Sequence, residues 1–170
     1  IDEETDRAFF VRDDPEHGGG AVERQILDGP DEGHPPVHPN HEDRGDRDLS
    51  VADGVLVESD DLPPHGERVW LKGYGCVQHT HDALQCTGDD IEVVREGELD
   101  VIHWVPATDS LETRLRTMDG GINGYAEPGI GEYEPNDLVQ FERVGFARLD
   151  AFGWATGDDG SDLVAYYTHP

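Results

Sequence analysis

Glycine and proline break this chain every few residues, and that spacing limits the fold before any other feature is considered. Twenty-one Gly and eleven Pro are scattered through 170 residues. No stretch longer than about ten keeps a clean 3.6-residue apolar period, so long helices are excluded. Between the breaks lie short runs of β-formers at 9–11, 21–27, 48–51, 55–58, 68–78, 83–87, 91–95, 99–105, 138–150 and 163–168. Several alternate as half-buried strands do: Val69 and Leu71 against Trp70 and Lys72, and Val101, His103 and Val105 against Ile102 and Trp104. Turn signals roughly 8–12 residues apart predict an all-β chain built as a sandwich or barrel, not as βαβ units. Only 111–118 reads equally well as helix or strand, and no internal repeat is visible.

Two polar, proline-bearing connectors divide the chain, one at 60–66 and one from 127 to 136. They set off 63–129 as one small barrel. The flanking pieces, 1–62 and 130–170, then have to complete each other as a second.

Charge narrows the setting. Twelve basic residues, eleven of them Arg and one Lys72, face 39 Asp and Glu, for a formal net charge of −27. With 35% apolar residues the chain borders on a disordered composition, but three Trp, five Tyr and five Phe supply area for a core. The acid is spread through every segment, which suits a salt-loving cytoplasm where molar ions screen self-repulsion within a few ångströms. At low salt such a field repels phosphates; in molar salt that objection lapses. No run reaches the ~18 apolar residues of a membrane helix, and no charged-then-apolar start marks a signal peptide. A chain opening at Ile1 reads as a fragment or a processed product.

Candidate chemistry is sparse. Cys76, His79, His81 and Cys86 fall within eleven residues, yet their spacing fits no common zinc knuckle, and packed, reduced thiols are expected. His34, His38 and His41 lie among Pro35, Pro36 and Pro39 in an extended loop; no metal is expected there. With 39 carboxylates, neighbouring acids prove nothing about catalysis. There is no GxSxG elbow, no HExxH and no phosphate loop ending in GK[ST]. Gly18-Gly19-Gly20 reads as a flexible turn.

From residue 68 onward the residue order itself becomes distinctive. Arg68-Val69-Trp70-Leu71-Lys72 is followed by Cys86-Thr87, Ile102-His103-Trp104-Val105, Tyr125-Ala126-Glu127-Pro128 and Gln140-Phe141-Glu142-Arg143-Val144-Gly145-Phe146. Upstream stand Arg7-Ala8, Asp14-Pro15, Val37-His38-Pro39-Asn40 and Gly45-Asp46-Arg47. Over about residues 7–150 this resembles the C-terminal anticodon-binding part of glutamyl- and glutaminyl-tRNA synthetases of the archaeal and eukaryotic type.

The resemblance implies two β-barrels of a type shared with one ribosomal protein family, the first closed by the C-terminal return of the chain. It implies a cytoplasmic fragment that binds tRNA without charging it. The class I HIGH and KMSKS signatures are absent, so ATP and magnesium would belong to a separate catalytic domain of the same chain, and no cofactor is expected in this part. Salt adaptation, with the 102–107 stretch carrying Pro106, favours glutamate–tRNA ligase and tRNA-Glu over the glutaminyl enzyme, with tRNA-Gln as a further partner left open. Arg7, Gln140 and Arg143 take the family positions that hold the middle anticodon base, a U. A splayed U offers carbonyl acceptors and an imino donor that Arg and Gln side chains match. Lys72 and Trp70 take the positions that hold the first base, Trp70 replacing a cation by a stacking ring. Leu62 or a proline beside it stands where the family reads its third base. Against this reading stand a free-standing RNA-binding barrel, a protein-docking domain and a small acidic hydrolase.

Overall fold

In the computed structural model, residues 5–14, 19–38, 42–81, 83–88, 100–118, 120–152 and 163–169 are described. The expected strand at 91–95, Gly18 and His41 lie outside them. The described chain is all-β, with three short 3-10 turns and no α-helix. Its first strands are β1 (Arg7–Ala8), β2 (Phe10–Arg12), β3 (Ala21–Leu27), β4 (Glu32–Gly33), β5 (Leu49–Ser50) and β6 (Val55–Glu58). Then come β7 (Arg68–Leu71), β8 (Gly75–His79), β9 (Ala83–Gly88), β10 (Val101–Ile102) and β11 (Val105–Pro106). The last are β12 (Leu111–Thr117), β13 (Gly120–Ala126), β14 (Leu138–Phe141), β15 (Gly145–Phe152) and β16 (Leu163–His169). The ambiguous segment at 111–118 is therefore a strand.

Two seven-stranded sheets carry the fold, ordered β1-β14-β15-β16-β12-β13-β2 and β10-β7-β8-β9-β3-β6-β11. In each, the two edge strands are neighbours in sequence. Phe9 alone separates β1 from β2, and His103 and Trp104 alone separate β10 from β11. One bent segment therefore supplies both edges, and each sheet must curl until its edges meet, which closes it as a barrel. We call these barrel one and barrel two.

The barrels are copies in topology. Position by position along the two strand orders, parallel and antiparallel neighbours agree throughout. The bent segment comes first in barrel one and last in barrel two, so the copies are circularly permuted. The sequence showed no repeat because permutation destroys a constant period and few identities survive.

Strand pairing joins 21–58 to 68–106 in barrel two, and 7–12 to 111–169 in barrel one. The boundaries read from the sequence paired 1–62 with 130–170 instead. The reason is physical: both proline-bearing connectors turn the chain within a barrel, from β6 to β7 and from β13 to β14, whereas the crossings between barrels follow Arg12 and Pro106. The return of β14 to pair with β1, Gln140 opposite Arg7, completes barrel one from the C-terminal side.

The segment 8–11 forms a wall common to both barrels. Ala8 and Phe10 enter the core of barrel one, with Leu115, Phe141 and Leu149. Phe9 and Val11 enter the core of barrel two, with Val57, Leu71 and Trp104. This is strand periodicity with a core on each side, and it explains four consecutive residues at 1% exposure or less. The Phe9 ring meets His103 edge-on at 5.3 Å and Trp104 at 6.0 Å, so the two closure bends touch.

Candidate nucleic-acid interface

Two equivalent hairpins, β7–β8 and β14–β15, bring the candidate residues to the junction between the barrels. Each turns through three residues after the strand: Lys72-Gly73-Tyr74 in one, Glu142-Arg143-Val144 in the other. Backbone bonds match as well. Lys72 N donates to Ile102 O and Glu142 N to Ala8 O, each hairpin leaning on the bent segment of its own barrel. The middle turn residue is left-handed in both, φ 76° at Gly73 and 71° at Arg143. Gln140 and Arg143, three apart, would face opposite ways on a continuous strand. The strand alternation does not extend to Arg143, because β14 ends at Phe141 and Arg143 sits in the left-handed turn that follows.

The charges interlock across the junction. Lys72 Nζ lies 2.6 Å from Glu142 Oε1, so the equivalent positions of the two hairpins form an ion pair with each other. Arg7 Nη1 stands 3.6 Å from the same oxygen, and His103 Nε2 lies 3.9 Å from Oε2. Burial pushes the His103 imidazole down to about 4, so it is neutral at neutral pH despite the carboxylate beside it. Arg143 donates two bonds to Asp61, at 2.6 and 3.0 Å, reaching into barrel two; these bonds hold its guanidinium more firmly protonated still. Arg12 donates to Glu58 at 2.8 and 3.0 Å, a third pair spanning the barrels. Arg47 stacks over Phe9 at 4.7 Å with its Nε 2.8 Å from Glu127. Burial still pushes the Glu127 carboxyl up to about 7, the arginine pulling it the other way.

The structure brings most of the sequence candidates together. Arg7 and Gln140 are parallel-sheet partners, and the Gln140 amide, half-buried, has no hydrogen-bond partner among the described residues. Lys72 joins them through Glu142. Arg7, Lys72 and Arg143 keep 30%, 37% and 35% of their side chains open, so each retains donors for a ligand. Trp70 is different: at 9% exposure it is packed against its neighbours, and the stacking face expected of it is covered. Glu142, His103 and Asp61 belong to the cluster and were not singled out from the sequence. In an acid-rich chain one buried carboxylate gives no signal of its own; the only hint for Glu142 was its place between Gln140 and Arg143.

The remaining candidates are placed as follows. Leu62 follows the 3-10 turn Ser59–Asp61 and lines an open groove of about 300 Å³ with Asp61, Pro63 and Arg68. A larger cavity, about 500 Å³, lies beside Arg47 and Glu127. Cys76 and Cys86 are free thiols; a register shift after Cys76 sets Cys86 opposite Val77, not opposite Cys76. His79 bonds the Pro63 carbonyl at 2.6 Å and packs on His65 at 4.6 Å. His34 pairs with Asp48 at 2.9 Å, with Glu32 close by, and His38 is buried. Among the described residues His34 and His38 thus point to different surroundings.

The family described as "tRNA synthetases class I (E and Q), anti-codon binding domain" matches residues 5–98, and a second part under the same description matches 101–150. The chain belongs to this family. Its full length aligns at 60% identity with 28% of the "Glutamate--tRNA ligase" of Haloarcula marismortui. Over its full length it is also 53% identical to the same-named protein of Natronomonas pharaonis and, over a 177-residue alignment, 49% identical to that of Halobacterium salinarum. These alignments cover 28% and 29% of the relatives, so the chain spans well under a third of the curated proteins it matches. The haloarchaeal sources fit the salt adaptation read from the charge.

Proposed function

We propose that this chain is the anticodon-binding part of a cytoplasmic glutamate–tRNA ligase and recognises tRNA-Glu. A catalytic domain of the same chain, using ATP and magnesium, would attach glutamate. Arg7, Gln140 and Arg143 hold the middle anticodon base, and Lys72 holds the first. One observation carries the reading: in a chain of net charge −27, Arg7, Lys72 and Arg143 meet at one junction with open faces, beside a half-buried Gln140 whose amide has no hydrogen-bond partner among the described residues. Their donors suit the carbonyl edges of a splayed pyrimidine, and in molar salt short hydrogen bonds to a base outlast screened attraction to phosphate.

The test is a cycle of Arg143→Ala against the unmodified chain, each with tRNA-Glu transcripts carrying the middle U or a C in its place. Loss of a charge-assisted bond to a base edge should cost the U transcript roughly 1.5–3 kcal/mol and leave the C transcript little changed. Equal losses for both transcripts would make Arg143 a phosphate contact, which weakens all RNAs alike and lowers the salt slope by about one.

A further inference from the structure

We infer that Glu142 is a positioning residue that couples the two proposed base sites, one carboxylate setting the Arg7 guanidinium and the Lys72 ammonium at once. The inference rests on the anticodon reading above.

Glu142 is 7% exposed, and a carboxylate so deep in the protein needs opposite charge close by. It has two cations on one oxygen, Lys72 at 2.6 Å and Arg7 at 3.6 Å, supplied by different barrels. Its other oxygen faces His103 at 3.9 Å, a neutral ring that adds no charge. One Glu142 oxygen is thus shared by two cations, with the Glu127 carboxyl also within electrostatic reach. Without the carboxylate, two long side chains regain their rotamers and repel each other, so neither presents its donors at a fixed place. Because both cations share one anchor, a ligand that draws on Lys72 alters the hold on Arg7, and the reverse follows by linkage. Arg143 has its own carboxylate in Asp61 and stands apart from this coupling.

The experiment compares binding of three tRNA-Glu transcripts to the full chain in fixed molar potassium chloride: the native anticodon, a first-base variant and a middle-base variant. Glu142→Gln keeps the shape and removes the charge; it should reduce discrimination at both positions by about tenfold. Glu142→Asp should recover part of each ratio, which a purely structural defect would not predict. Asp61→Asn should reduce discrimination at the middle base alone. If Glu142→Gln does not fold, Lys72→Met decides: a first-site change must also lower middle-base discrimination. The inference is overturned if Glu142→Gln preserves both ratios, if it lowers only one, or if Lys72→Met leaves the middle base untouched. An unmodified chain that discriminates neither base refutes the anticodon reading and this inference together. One that discriminates while Glu142→Gln behaves identically refutes the inference alone.

Discussion

At the tip of the β7–β8 hairpin the left-handed position is Gly73; at the tip of β14–β15 it is Arg143. Both turns have the same backbone, and their surroundings differ. In barrel two the strand of chain around Pro35 lies across the turn, and a Cβ on Gly73 would come within 2.7–2.8 Å of Pro35 atoms, two of them backbone. His34 N donates to the Gly73 carbonyl and fastens that strap. Over barrel one's tip the guanidinium is free to reach Asp61 of the neighbouring barrel. Gly73 answers a packing demand, whereas Arg143 accepts a backbone cost of roughly 1–2 kcal/mol to aim a charge. A strained residue retained where nothing crowds it is the pattern expected of a binding site.

Exchange of the two turns gives the largest expected effect. Gly73→Arg meets both the left-handed penalty and the Pro35 backbone, and should cost roughly 2–5 kcal/mol in denaturant unfolding at fixed salt. If the variant is as stable as the parent, the strap does not constrain the turn and the contrast between the barrels fails.

A second lever separates the groups buried at the junction by the sign of their response to pH. His103 is held down from 6.5 to about 4, so its contribution is complete above 6.5 and lost as pH falls toward 4. Glu127 is pushed from 4.5 to about 7, so its contribution is complete below 4.5 and lost as pH rises through 7. Between these limits the two oppose each other. Glu127→Gln removes one of them, and the difference between variant and parent stability should climb with pH from 4.5 to 7, by an amount on the order of 2–3 kcal/mol. A difference that is flat over thermal melts in this window would mean that the Arg47 pair keeps Glu127 ionised.

The smallest effect is the most telling about the turn. Arg143→Gly relieves the left-handed strain and loses one partly exposed ion pair, terms of about 1 kcal/mol each and opposite sign. Stability should stay within about 1 kcal/mol of the parent while tRNA-Glu binding falls. Loss of stability on the scale of Gly73→Arg would make Arg143 a structural residue like its counterpart.

Much of this was legible in the residues. The runs at 21–27 and 55–58 coincide with β3 and β6, because β-branched residues alternate there between clean turn signals. The runs at 68–78 and 138–150 each proved to be two strands, since Gly75 and Gly145 sit inside a tight hairpin that looks continuous in hydropathy. β13 was invisible: Gly120, Gly121 and Gly124 mimic a loop, yet Gly124 is required because a Cβ there would strike Phe10 and the Val11 carbonyl at 2.5 Å. In the site, arginines and a lysine stood out against an acidic background. Glu142 and Asp61 could not stand out, being two carboxylates among 39, distinguished only by burial and partners. The alternation that sent Trp70 outward failed because its strand is covered on both faces, as Cys76 opposite it at 4% exposure also reports.

The wall formed by 8–11 bears on the order in which the molecule is built. A ribosome delivers every described strand of barrel two by residue 106, but barrel one waits for 163–169 although its β1 emerged ahead of all the other described strands. Through that interval Phe9 and Val11 have a finished core to enter, while Ala8 and Phe10 have none. Barrel two can therefore act as a jig, holding β1 and β2 extended with their outer faces exposed until β14 and β13 arrive to pair with them. Non-local pairing is slow because the closure of a long loop precedes its reward; here one side of the pairing is already in place, fixed by the neighbour that was completed first.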